Sequence, residues 1–246
     1  STLFPYTTLF RSYIFCYVLA IFHIFAKKIQ TSDIMKKIVY LLIILFSISA
    51  CKSVKFMTSN EKSLINSGSA DTPFRVLQTD NQKDSLFLRK KSIDVDAKNI
   101  ATNKDLQLLI DRLQMTLAVE SGVGIAAPQV GIGRNLFLFL RIDQKGMPVQ
   151  VAINPRIVGH SAETFLFERD GCLSVPELSG TTNRYTWVDV EYYDDNGTLI
   201  KERLSGGSRG ADFTGVIFQH EYDHLQGILF TDRLATTVSP EVQKED

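Results

Sequence analysis

The sequence predicts an α+β domain on three observations. Several short runs carry the aromatic and β-branched residues of strands, two stretches repeat apolar residues at helical spacing, and internal repeats and long low-complexity tracts are absent. The 246 residues suffice for one sizeable domain, and 27 basic against 27 acidic groups leave no net charge to attract nucleic acid. Three cysteines, Cys16, Cys51 and Cys172, are odd in number and far apart, so they do not read as a disulfide framework.

Residues 1–34 open on Ser1 and hold the apolar run YIFCYVLAIFHIF, too short to span a bilayer comfortably. They read as a leader foreign to the native protein, and His23 lies within it. From Met35 a basic Met-Lys-Lys, the apolar IVYLLIILFSI and Ser49-Ala50-Cys51 follow one another. Residues 35–51 thereby resemble a bacterial lipoprotein signal peptide. That resemblance implies a lipid-modified Cys51, a membrane anchor, and a polar tether over residues 52–72. Translation from Met57 would instead give a cytoplasmic form.

The folded domain is expected over residues 73–234, with a polar tail over 235–246. Within 102–120, Leu106, Leu109, Ile110, Leu113 and Leu117 fall three or four apart and mark a helix with one buried stripe. NLFLFLR (135–141), VQVAIN (149–154) and WVDVEYY (187–193) have strand character. Asp194-Asp195-Asn196-Gly197 offers a tight hairpin turn, and TLIKERL returns as the partner strand. LSGGSRGAD (204–212) is a glycine-rich loop. A second helix is expected over 213–226, with Asp212 as its N-cap and Gly227 just past its end.

The chemistry sits on that second helix. In FQHEYDHLQG, His220 and His224 lie four apart and project from one helical face, so their imidazoles converge, with Glu221 on the adjacent flank. Two histidines and a carboxylate suit metal-assisted hydrolysis, the carboxylate relaying a proton. A solvated helix face with two histidines and two acids has the same spacing. Cys172, in ERDGCLSVPE, is set at a turn or bulge leading into a strand, where a thiolate can complete a three-ligand site that keeps its fourth position open. Most unpaired cysteines are inert buried thiols, so this pattern alone leaves both readings standing. GVGIAAPQVG (122–131) combines small residues with Gln129, a neutral hydrogen-bond donor, and lacks the lysine and glycine spacing of a phosphate loop.

Gly122-Val-Gly-Ile-Ala-Ala-Pro-Gln129, Gly171-Cys-Leu-Ser174 and Gln219-His-Glu-Tyr-Asp-His-Leu-Gln-Gly227, in this order, resemble the peptide deformylases over roughly residues 73–234. The resemblance implies antiparallel or mixed sheets around a central metal-binding helix. It also implies removal of the formyl group from N-formylmethionyl peptides by hydroxide on a divalent ion, Fe(II) first, with nickel, cobalt or zinc as substitutes. By the same resemblance Cys172, His220 and His224 are the metal ligands and Glu221 the general acid/base. Gln129 and the backbone N–H of Leu173 hold the formyl oxygen, Gly122 and Gly124 lie along the substrate, and Asp170 with Arg184 supports the ligands from behind.

Three features depart from the family pattern. Asp170 replaces a glutamate, one methylene longer, which predicts a weakened pairing with Arg184. Asp212 and Gly215 precede the catalytic helix where Gly and Ala are more usual; Gly215 is expected to cost about 1 kcal/mol in helix propensity. The signal-like N-terminus conflicts with a deformylase's work in the cytoplasm. It raises two alternatives: an exported protein acting on other N-acyl substrates, and a non-catalytic lipoprotein binding module. A zinc endopeptidase would need a third ligand beyond the helix, where only Glu241 and Glu245 are available. His160 reads as a surface or turn histidine, and Trp187 and Tyr192 as packing residues of the central hairpin.

Overall fold

The computed structural model describes residues 57–235. Cys16, His23, the signal-like segment with Cys51, and Glu241 and Glu245 lie outside the described residues. Among the described residues no helix is long and apolar enough to cross a membrane.

Seven strands form two sheets. β1 (Gly124–Ala126), β2 (Leu136–Leu140), β3 (Val149–His160), β6 (Trp187–Tyr193) and β7 (Leu199–Ser205) make one sheet in the order β1-β2-β3-β6-β7, and β4 (Thr164–Cys172) and β5 (Val175–Tyr185) make a separate hairpin. Every strand pair is antiparallel, so the expectation of antiparallel or mixed sheets resolves to the first. Among the described residues the one parallel contact is the isolated bridge between Ile93 and Arg134.

The run LFLFL explains why the large sheet is covered on both faces. Side chains alternate along a strand, so Leu136 and Leu138 point one way and Phe137 and Phe139 the other, and all four are fully buried. On the leucine side lies α3 (Lys104–Glu120), whose Leu106, Leu109, Ile110, Leu113 and Leu117 form the predicted stripe and pack with Ile125, Val151 and Ile153. Asn103 caps this helix through Leu106 N, and Ser121 ends it in the left-handed region at φ 53°. On the phenylalanine side lies α4 (Thr214–Leu225), where the Phe218 ring meets Phe137 and Phe139 edge-on at 4.9 and 5.4 Å between centroids. The sheet is thus sandwiched between two helices, and α4 is the central one. The expected hairpin is present: Gly197 adopts φ 82°, and Tyr192 is buried while the Arg203 guanidinium lies over the Trp187 ring.

Several expectations change. Of the expected tether over 52–72, the described part, residues 57–72, is not a plain tether: α1 (Ser59–Ile65) lies within it, closed at its start by reciprocal hydrogen bonds between Thr58 and Glu61. Ile65 is fully buried, and the Glu61 carboxylate takes two hydrogen bonds from Arg134, at 2.9 and 2.7 Å. Two apolar anchors, Met57 and Ile65, and a two-pronged ion pair dock a stretch whose composition is polar. A further short helix, α2 (Gln82–Leu88), is capped by Asn81.

The N-cap of α4 is Phe213, with no side-chain cap, yet Asp212 still accepts a hydrogen bond from Thr214 N at 2.9 Å. Gly227, just beyond the helix, has φ 73°. Gly215 proves to be a packing requirement: a Cβ there would stand 2.5 Å from Ser205 O and 2.8 Å from Leu204 O, so α4 reaches β7 only because the side chain is missing. Propensity is overridden by that close approach.

Candidate active site

Three elements deliver the chemistry-bearing side chains. α4 presents His220, Glu221 and His224 toward the gap beneath β1, with ring centroids of the two histidines 5.2 Å apart. The β4–β5 hairpin supplies Cys172 at its turn. Between Phe167 and Asp170 the hairpin register slips, three residues on β4 opposing two on β5, and Arg169 takes φ 56°. That bulge lets Phe167 and Asp170 both turn inward. The 3₁₀ turn Ala127–Val130 carries Gln129, which is buried and held at both ends: Oε1 accepts from Ala126 N at 2.8 Å, and Nε2 donates to Ser174 Oγ at 3.2 Å and Cys172 Sγ at 3.5 Å.

Cys172 Sγ is 3.2 Å from His224 Nε2, and one donor atom from each of Cys172, His220 and His224 lies within 4.8 Å of the others. The three fit a metal on donor chemistry and on orientation. His220 bonds Asp170 Oδ1 through Nδ1 at 3.0 Å, which leaves Nε2 for an ion, as metal-bound histidines commonly arrange. His160, by contrast, stacks on Tyr185 at 3.9 Å and takes no part in the cluster.

Asp170 requires a correction. Its Oδ2 accepts from Arg184 Nη2 and Thr182 Oγ1, each at 2.7 Å, while Oδ1 meets His220. The pairing with Arg184 is therefore not weakened, because the bulge brings the shorter side chain into reach. Arg184 continues to Asp223 Oδ2 at 2.8 Å, and Asp223 Oδ1 takes Arg233 Nη2 at 2.7 Å. A chain of charges thus runs from half-exposed Arg233 to the His220 ring. Asp223 and Arg233 were not foreseen. Asp223 sits three residues after His220, on the same side of the helix as that ligand, and this spacing is the signal that could have found it.

Burial is the largest single influence on Glu221, Cys172, His220 and Asp170, and it decides the outcome only for Glu221. It pushes the Glu221 carboxyl up to about 7, against the pull of the two histidines. Burial also opposes ionisation of Cys172, but His224 and His220 outweigh it and hold the thiol well below its ordinary range. For His220, desolvation is likewise outweighed by the Asp170 hydrogen bond and by Cys172, which hold the imidazole well above its ordinary range. Asp170 is desolvated too, yet His220 and Arg184 hold it well down. Glu221 Oε2 and His224 Nδ1 are buried without a partner among the described residues.

A cleft of about 340 Å³ opens onto these groups, lined by Gly122, Gly124, Leu173, Phe167 and Phe213 among others. Leu173 occupies the turn between β4 and β5. Arg209, also unforeseen, lies over Phe167 and Phe213 and donates to Glu168 O at 3.2 Å and to Arg169 O, fastening the glycine-rich loop to the bulge. A larger cleft of about 440 Å³ near Ile157, Tyr185 and Tyr222 contains none of the three donors, and its Arg184, Asp223 and Arg233 are satisfied by the chain of charges. Chemistry favours the smaller one.

A family model described as Polypeptide deformylase matches residues 74–239. Peptide deformylase 2 of Nostoc sp. is 40% identical over 164 residues, which are 64% of this chain and 86% of the relative. A solved structure of a class I type b peptide deformylase from Acinetobacter baumannii with Met-Ala-Ser bound is 31% identical, with a TM-score of 0.57 over 67% of this chain and 99% of that one. Peptide deformylase from Thermotoga maritima gives 32% identity and a TM-score of 0.56, covering 66% of this chain and 98% of its own. With two thirds of its length matched in one continuous block, the chain belongs to the polypeptide deformylase family.

Proposed function

We propose that the protein is a peptide deformylase, a hydrolase that frees the amino group of N-formylmethionyl peptides and releases formate. The observation that carries this reading is the convergence of Cys172, His220 and His224 beside the buried, unpartnered Glu221 carboxylate in one cleft. The solved Acinetobacter relative holds Met-Ala-Ser, the type of peptide such a reaction leaves behind.

Cys172 Sγ, His220 Nε2 and His224 Nε2 would hold a divalent ion, which when bound supplies Lewis acidity to water and to the formyl carbonyl. Asp170 keeps the His220 ring oriented with Nε2 free. Gln129 Nε2, pinned beside Cys172, and the N–H of Leu173 donate to the formyl oxygen as it gains charge; one such donor is typically worth about 10²–10³ in rate. Glu221 takes the proton of the attacking water and passes it to the departing amine nitrogen. Gly122 leaves the backbone of the cleft wall open to an extended peptide, while the space beside Gly124 is taken by the Glu221 side chain.

Among the ions this donor set accepts, Fe(II) is the proposed resident on the family resemblance, with nickel, cobalt or zinc as substitutes. Metal analysis after anaerobic purification tests that choice. A lipid anchor at Cys51 is proposed on the order of basic, apolar and small residues over 35–51; mass spectrometry of the mature N-terminus separates a diacylated Cys51 from a start at Met57. The activity itself is tested with formyl-Met-Ala-Ser and the Fe(II)- or nickel-loaded protein. Turnover is expected, and its loss in Glu221→Ala with metal retained; a metal-replete wild type that leaves the peptide formylated overturns the reading.

A further inference from the structure

We propose that Gly124 is a positioning residue for Glu221, whose carboxylate is seated in the space a side chain at 124 would fill. The inference rests on the deformylase reading for its consequence and on geometry for its substance. Gly124 does not need to be glycine for its backbone: its φ lies outside the left-handed region, and it pairs regularly with Phe139 in β1. What it needs is room. A Cβ built on Gly124 would stand 2.5 Å from Glu221 Oε1 and 2.8 Å from Cδ and Cγ, nearer than real Cβ contacts come.

Among the described residues no hydrogen bond fixes that carboxylate: Glu221 is 4% exposed and Oε2 has no partner. Gln129 is held by hydrogen bonds at both ends of its amide and Asp170 by three partners, whereas Glu221 is located by contact alone. A group that must take a proton and then release it in another direction gains from being held sterically, because hydrogen bonds would favour one protonation state. Gly122 differs: a Cβ there would meet the tips of the Leu117 and Leu173 side chains, at 3.0 and 3.3 Å, and those can yield.

The test combines Gly124→Ala with Glu221→Ala, which removes Cγ, Cδ and Oε1, all three atoms in conflict with the added methyl. In the metal-loaded enzyme, Gly124→Ala is expected to lower kcat about 10²-fold, the usual consequence of a displacement near 1 Å. Metal content and the Kd for the product peptide Met-Ala-Ser should stay within about twofold of wild type, as expected when geometry and not binding is disturbed. The melting temperature should fall in Gly124→Ala, and that fall should vanish when the same change is made in the Glu221→Ala background, the coupling expected of residues in contact. Equal melting losses in both backgrounds overturn the proposal, as does weakened Met-Ala-Ser binding with kcat unchanged. If wild type fails to deformylate, the functional reading falls, while the melting cycle still decides the seat.

Discussion

Replacing Gly215 by alanine sets two calculable effects against each other. Within a helix the change is worth up to about 1 kcal/mol in favour of alanine. Against it stands the contact with β7: the new Cβ would begin 2.5 Å from Ser205 O, and ordinary contact starts at 3.4 Å, so α4 and β7 have to part by about 0.9 Å. Both atoms in conflict with it, Ser205 O and Leu204 O, belong to the backbone of a paired strand, which cannot swing aside as a side chain would. Overpacking of this kind costs about 1–3 kcal/mol. Because Gly215 is the second residue of the helix, the propensity gain is only partly realised, and a net loss of about 1–2 kcal/mol follows. For a domain of this size that lowers the melting temperature by about 2–8 °C, read by calorimetry on the metal-loaded protein. The same displacement moves His220, Glu221 and His224 as a unit, so kcat/KM should fall with stability. A Gly215→Ala protein that melts at or above wild type would refute the reasoning, since propensity would then have won.

Asp170→Asn keeps the shape but gives up the charge facing His220 and Arg184; metal affinity, measured by chelator competition, should drop about 10–100-fold. Arg184→Met removes the guanidinium shared by two buried acids, leaving Asp223 with Arg233 and Asp170 with His220 and Thr182, and urea unfolding should show a loss of about 3 kcal/mol. Glu61→Gln breaks the ion pair that docks α1. Burial pushes the Glu61 carboxyl up, but Arg134 and Thr58 together hold it below its ordinary 4.5. A depressed acid stabilises the fold fully above its unfolded value and loses that contribution as pH falls through the folded one. The variant should therefore trail wild type in urea at pH 7, with the gap narrowing as pH falls below about 4.5.

Local signals were strong wherever one element satisfied one rule. LFLFL, the leucine stripe of α3 and the Asn-Gly hairpin all stand where their periodicity or turn chemistry puts them. The three motifs that suggested a metal site converge because each is short and sits on a rigid element. What escaped was non-local. β4 and β5 read weakly because the bulge at Arg169 breaks the alternation that identifies a strand, and β3 runs on through Pro155 at a register shift where a missing N–H costs nothing. Docking of α1 depends on Arg134, seventy-three residues away from Glu61, and no composition rule sees such a pair. Asp170 was judged by its length alone, although the bulge that places it matters more. Gly215 was judged by its propensity, although the carbonyls opposite decide its identity.

Met57 offers a last consequence. Its side chain is only 4% exposed and packs into the cluster that holds Ile65, Phe74 and Leu113. Were synthesis to begin there, the initiator would itself be a building block of the interior, and an aminopeptidase trimming it would carve a void worth about 2–5 kcal/mol. Were the chain instead fastened at Cys51, only the five residues 52–56 would bridge lipid and core. At about 3.5 Å apiece they span roughly 20 Å at full stretch, so the catalytic body would ride against the bilayer surface with little freedom to roam.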